Sequence, residues 1–271
     1  MRVAFVGKGG AGKSAIAGVI ARLLARDGED VLAVDSDPMP GLSVSLGLGV
    51  VESAIPADAV TEKAAGEPGP RFRLRQGLTA TEAIDRYALL APDGVRFLQF
   101  GKTRASAAPL MRSQWAFRQI LDGLPPETPT VIGDLPGGTR QPFLGWAGYA
   151  DTVVVVVPPT SAGMLSARRL AKLATTGPTT DTGPSRILAV VSQARDDADV
   201  ERIRQRTGLD VIGSVPWDER VLAAEREGRS VLDTAPDSAV VAALTALAER
   251  LAPQRAAQRQ AALADFPGGG A

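Results

Sequence analysis

The chain has 271 residues, 45% of them hydrophobic, enough for one full core, and its 30 basic and 30 acidic side chains cancel, which gives no support for bulk electrostatic binding to nucleic acid. It contains neither cysteine nor histidine, which excludes disulfides, thiolate zinc sites, iron–sulfur clusters, imidazole ligands, a cysteine nucleophile and a histidine base. What remains is oxygen-ligand chemistry, of which Mg2+ held by carboxylates, hydroxyls and phosphates is the common form.

An apolar run over 3–6 predicts the first strand, with no signal-peptide pattern before it, so a cytoplasmic location is expected. The strand runs directly into Gly7-Lys8-Gly9-Gly10-Ala11-Gly12-Lys13-Ser14. A glycine, four residues and then Gly-Lys-Ser between a strand and a helix is the phosphate-binding loop in its required setting. Its glycines, with Ala11 among them, let successive N–H groups converge on one anion, and the helix that starts near Lys13 adds the positive end of its dipole. Lys13 is placed to reach the β- and γ-phosphates and Ser14 to ligate Mg2+. Lys8 is a second cation in the loop, and two of the chain's five lysines, against twenty-five arginines, stand there. A compact point charge suits phosphate.

The first helix shows a core stripe at Ile16, Val19, Ile20, Leu23 and Leu24 and should stop near Gly28. Strands are then expected over 31–35, 95–100, 130–134, 152–157, 187–192 and 211–215, with helices over 111–124, 162–174, 200–206, 218–227 and 238–251. This alternation predicts an α/β fold: a doubly wound, mostly parallel sheet with helices on both faces. One domain over 1–252 is expected, with a mobile insertion near 52–77, rich in Pro, Gly and charge, and a polar, disordered tail over 253–271.

In open α/β sheets ligands lie beyond the carboxyl ends of the strands. Asp35 and Asp37 lie at the end of the second strand, and Asp134 ends another, followed by Leu135-Pro136-Gly137-Gly138. One strand-end aspartate is often only a turn former. Three at one sheet edge beside a phosphate loop point to a shared site.

The loop resembles the K-G-G-x-G-K-[ST] loop of the deviant Walker A family of P-loop ATPases, which includes the MinD and ParA positioning ATPases, ArsA-type ATPases, the nitrogenase iron protein and CooC-type proteins. The likeness covers nearly the whole domain. Through Asp35-Ser36-Asp37-Pro38 and Leu46-Gly47-Leu48 it is most like the CooC-type subgroup, but Thr103-Arg104-Ala105-Ser106-Ala107-Ala108-Pro109 stands where that subgroup has a Cys-x-Cys metal pair. The resemblance implies that Lys8 crosses a dimer interface to the partner's nucleotide and that Asp134 is the Walker B aspartate near Mg2+. It also implies that Asp35 organises the metal and the loop lysine, that Asp37 orients the attacking water, and that Pro136, Gly137 and Gly138 form switch II. Gln193, Pro216 and Trp217 fall where the family holds adenine, and ATP rather than GTP follows from the family.

By resemblance, then, the chain is an ATPase that binds Mg-ATP, closes as a homodimer and controls an unknown client protein, in protein or cofactor assembly. The alternatives are a ParA/MinD-type positioning ATPase and a nucleotide-sensing regulator with negligible hydrolysis. Neither a nucleic-acid surface nor an amphipathic membrane anchor is evident in the sequence.

Overall fold

The computed structural model describes residues 1–37, 41–52, 55–64, 66–69, 71–99, 107–125, 130–137, 147–176 and 184–252. Pro38, Gly138, residues 103–106 and the tail over 253–271 lie outside them.

The elements follow in chain order: β1 (Arg2–Gly7), α1 (Lys13–Arg26), β2 (Val31–Asp35), α2 (Leu42–Ser45), β3 (Val60–Glu62), β4 (Phe72–Leu74), α3 (Ala80–Tyr87), β5 (Leu89–Leu90), β6 (Arg96–Gln99) and α4 (Ala107–Asp122). Then come β7 (Thr130–Asp134), β8 (Thr152–Val157), α5 (Ser161–Thr176), β9 (Arg186–Ala194), α6 (Asp197–Thr207), β10 (Asp210–Pro216), α7 (Glu219–Arg226), α8 (Val231–Thr234) and α9 (Ala239–Leu251). Eight strands form one sheet in the order β10-β9-β8-β1-β7-β2-β6-β5, parallel throughout except for β5 against β6. This is the doubly wound sheet expected from the alternation of patterns.

Both faces of the sheet are covered, which is why the central strands read as continuous apolar runs; every residue of Thr152–Val157 is buried. On one face Val3, Phe5, Val31 and Ala33 pack with α1, α2, α8 and α9. On the other, Ala4, Val6, Leu32 and Val34 pack with α3, α4, α5 and α6. The period-2 alternation of a strand then places Asp35 and Asp134 on the α1 face and Gly133 on the opposite one.

The stretch 52–77, read from sequence as weakly periodic, contains the β3–β4 hairpin. The Gln119 side chain on α4 serves the hairpin as a strand edge would: it accepts from Leu74 N at 2.8 Å and donates to Phe72 O at 2.9 Å. Helix α3, which the periodicity did not single out, begins with a capping box between Thr79 and Glu82. Among the described residues no helix is long and apolar enough to cross a membrane.

Candidate functional site

β1 delivers the phosphate loop from the middle of the sheet, between β8 and β7. Gly7 ends the strand at φ +152°, and a Cβ there would meet Val156 O at 2.5 Å, so only glycine fits. Gly10 and Gly12 adopt left-handed backbone at φ +76° and +83°. Ala11 N donates to Lys8 O at 3.1 Å, which closes the turn. Gly12 caps α1 without a side-chain hydrogen bond, and the first turn carries no acidic residue, so the positive end of the helix faces the loop unneutralised by its own chain. Lys13 is buried and Lys8, Gly9 and Gly10 are exposed, so the two loop lysines occupy opposite environments.

β2 and β7 are neighbours, with Asp35 and Asp134 in register across the ladder. Ser14 Oγ donates to Asp134 Oδ2, which links the first turn of α1 to the end of β7. Asp134 Oδ1 is buried with no hydrogen-bond partner among the described residues. Asp35 Oδ1 accepts from Asp37 N at 2.9 Å, and its Oδ2 accepts from Gly41 N at 3.2 Å and Leu42 N at 3.0 Å. This folds the chain back so that Gly41 lies over Ser14, where a Cβ would stand 3.3 Å from its Oγ.

Burial lifts the Asp35 carboxyl to about 6 against the pull of the Asp37 and Leu42 N–H groups, and the Asp37 charge adds to the lift. Burial lifts Asp134 to about 7; Asp35 reinforces the lift, while Lys13 and Ser14 oppose it. Two carboxylates crowded in low dielectric create a demand for a cation. Among the described residues no trio of acidic side chains forms a metal cluster by itself. The Ser14 hydroxyl and the unpartnered Asp134 oxygen are nevertheless the hard oxygen donors that Mg2+ takes together with phosphates and water.

The residues expected to form switch II follow the end of β7. Leu135 N donates to Phe5 O at 3.0 Å and Pro136 is buried. Gly137 lies against the phosphate loop, since a Cβ on it would reach Gly9 N at 3.0 Å.

A cavity of about 170 Å3 opens beside the loop, lined by Gly12, Ile16, Val215, Trp217, Val240 and Leu244 among others. It is largely apolar, as suits a planar base. Trp217 is 42% exposed and its backbone N–H donates to Ala194 O at 2.9 Å. The Arg195 guanidinium covers one ring at 5.3 Å from its centroid. Pro216 and Gln193 also line the cavity, as does Ser192, whose buried Oγ has no partner among the described residues.

The expected residues Gly7–Ser14, Asp35, Asp37, Asp134, Pro136 and Gly137 thus cluster at the carboxyl ends of β1, β2 and β7, and Gln193, Pro216 and Trp217 flank them at β9 and β10. Sequence reasoning missed Tyr149. Its hydroxyl is buried without a partner among the described residues, directly against Gly133. Burial, followed by the charges of Asp134 and Asp35, raises its pKa. The glycine before Asp134 was the available signal: a glycine inside a buried strand marks a close approach.

Residues 3–231 match the family described as the CobQ/CobB/MinD/ParA nucleotide binding domain, and the chain belongs to that nucleotide-binding family. It is 27% identical over 240 residues to an uncharacterised ATP-binding protein of Methanocaldococcus jannaschii, a match covering 85% of this chain and 91% of that one. It is likewise 27% identical over 274 residues to the carbon monoxide dehydrogenase accessory protein CooC of Rhodospirillum rubrum, covering 93% and 98%. The septum site-determining protein MinD of Pyrococcus horikoshii, solved with Mg-ADP, shares the fold at a TM-score of 0.68 and 17% identity over 92% of this chain and 94% of that one.

Proposed function

We propose that the protein is a Mg-ATP-dependent homodimeric switch that hydrolyses ATP to ADP and phosphate and controls a client protein. The observation that carries this reading is the Ser14–Asp134 contact beneath the phosphate loop, with one buried aspartate oxygen left without a partner among the described residues.

In this reading the loop N–H groups and Lys13 hold the β- and γ-phosphates. Ser14 and Asp134 hold Mg2+, which when bound neutralises charge on the phosphate oxygens. Asp35, with both oxygens occupied by backbone N–H groups, acts by shaping the turn that carries Asp37. Asp37 orients a water for in-line attack on the γ-phosphorus as the bond to the ADP oxygen breaks. A carboxylate is a weak base at neutral pH, so positioning dominates and turnover is slow. Gly137, already against the loop, is placed to report the γ-phosphate through its N–H. Lys8, exposed at the loop tip, reaches the nucleotide of a second copy. ATP then favours the closed dimer, the client binds that form, and hydrolysis releases it.

The likeness to an accessory protein of carbon monoxide dehydrogenase supports assembly or maturation of another protein as the client task. Since the chain has no cysteine, a thiolate metal site between subunits is not part of the reading.

Two lysine variants test it. Lys13→Ala should abolish nucleotide binding, whereas Lys8→Ala should bind ATP nearly as the parent does yet fail to dimerise or hydrolyse. Light scattering of the Asp37→Ala protein should show a dimer at saturating ATP. A monomer there, or equal loss of binding in both lysine variants, defeats the proposal.

A further inference from the structure

Gln193 has left-handed backbone, φ +56°, inside strand β9. Asp93 in the turn before β6 is the other non-glycine residue with positive φ among the described residues. A side chain rarely tolerates that conformation within a strand, and such strain persists where the surroundings impose it. The imposing contact is visible: Gln193 Nε2 donates to Gly10 O at 3.0 Å, across 183 positions of sequence.

The consequence falls on one peptide group. The Gly10–Ala11 peptide is held at its oxygen by Gln193 and at its nitrogen by Lys8 O, which receives Ala11 N–H at 3.1 Å. With both ends held, the plane of that peptide resists turning, which restrains ψ of Gly10, itself in left-handed backbone, and φ of Ala11. The neighbours of Gln193 border the same cavity: Ser192 lines it, and Ala194 O accepts from the Trp217 backbone N–H. One N–H of the Gln193 amide is thus committed to the loop.

We infer that Gln193 is a positioning residue for the phosphate loop and acts on phosphate affinity. The inference rests on the reading of Gly7–Ser14 as a nucleotide site.

The test compares ATP with inorganic tripolyphosphate, which carries the phosphates without a base, by titration calorimetry in Mg2+. Gln193→Met keeps length and neutrality but removes the donor. Both ligands should weaken by the same factor, about threefold to tenfold for one lost hydrogen bond, and the ratio of their affinities should stay as in the parent. Gln193→Gly removes the donor and the backbone strain together. It should lose the same affinity while melting no lower than the Met variant, which separates loop positioning from damage to the fold. A loss confined to ATP would make Gln193 a base contact and overturn the inference, as would unchanged affinity for both ligands. A parent protein that binds neither ligand would instead overturn the nucleotide-site reading, and the inference with it.

Discussion

Replacing Asp134 by asparagine should make the metal-free protein more stable while disabling it. Burial and the adjacent Asp35 lift the Asp134 carboxyl from its ordinary 3.8 to about 7, opposed by Lys13 and Ser14. That lift amounts to a cost on the order of 4 kcal/mol for holding the ionised form in the fold above neutral pH. Asparagine keeps an oxygen for Ser14 and carries no charge, but it buries an NH2 group, which returns about 1–3 kcal/mol of that gain. The net advantage of Asp134→Asn in EDTA is therefore about 1–3 kcal/mol near pH 8. The sign of its pH dependence follows from linkage. The folded state holds this proton more tightly than the unfolded chain, so the parent loses stability as pH rises from the ordinary carboxylate value through the folded one. The asparagine variant lacks that loss, and its advantage should grow by about 2–3 kcal/mol between about pH 5 and about pH 8. Urea unfolding followed by tryptophan fluorescence measures both numbers. Saturating Mg-ATP should reverse the order, because the parent gains binding free energy that the variant forfeits. An advantage that stays flat or shrinks with rising pH would refute the argument that these carboxylates are held ionised at a cost.

Arg22, only 3% exposed at its side chain, bonds Asp93 at 2.6 Å and Asp233 at 2.6 and 2.8 Å, clamping α1 to the turn before β6 and to α8. Arg22→Met should cost about 1.5–3 kcal/mol, since Asp93 and Asp233 lose their bonds to Arg22 and keep only Arg26 among the described residues. Burial alone would raise Asp93, but its bonds from Arg22 and Arg26 prevail and hold it below its ordinary value. The Arg22-dependent stability is thus present at neutral pH and lost as pH falls below the ordinary carboxylate value, so urea midpoints of parent and variant should converge in acid. Tyr149→Phe removes a buried hydroxyl without a partner among the described residues and should stabilise the fold by about 1 kcal/mol in thermal unfolding. Gly133→Ala should destabilise the fold by about 1–3 kcal/mol, since its Cβ would fall 1.6 Å from the Tyr149 hydroxyl oxygen and 2.8 Å from its ring carbon and displace that ring, and unchanged thermal unfolding would contradict the packing described.

Local signals carried the frame of this protein. The strands at 31–35, 130–134 and 152–157 coincide with their apolar runs because a strand buried on both faces has no polar alternation to blur its limits. The phosphate loop was legible because its chemistry requires particular residues at a fixed spacing. The positions of Asp35 and Asp134 followed from their place at the carboxyl ends of apolar runs, yet the saturation of Asp35 by three backbone N–H groups depends on the path of the turn after β2, which no periodicity encodes. The Arg22 clamp joins segments separated by 71 and 211 positions, so it left no local trace. Gln193 was read as a base contact from where it falls in the chain, and its reach to Gly10 emerges only when β9 and the loop stand side by side. Helix α3 was a different case: Thr79 and Glu82 announced it, but in a stretch with few apolar residues to give a period.

The strands that carry the phosphate loop and the two buried aspartates are immediate neighbours at the centre of the sheet, β1 beside β7 beside β2, each hydrogen-bonded on both sides. Backbone in such a position exchanges its amide hydrogens only when the whole domain opens. The spacing between loop and carboxylates is therefore as durable as the fold itself, and thermal motion that frays edges leaves it untouched. Any cycle of shape in this protein has to be carried by the turns that leave those strands, moving over a base that does not move with them.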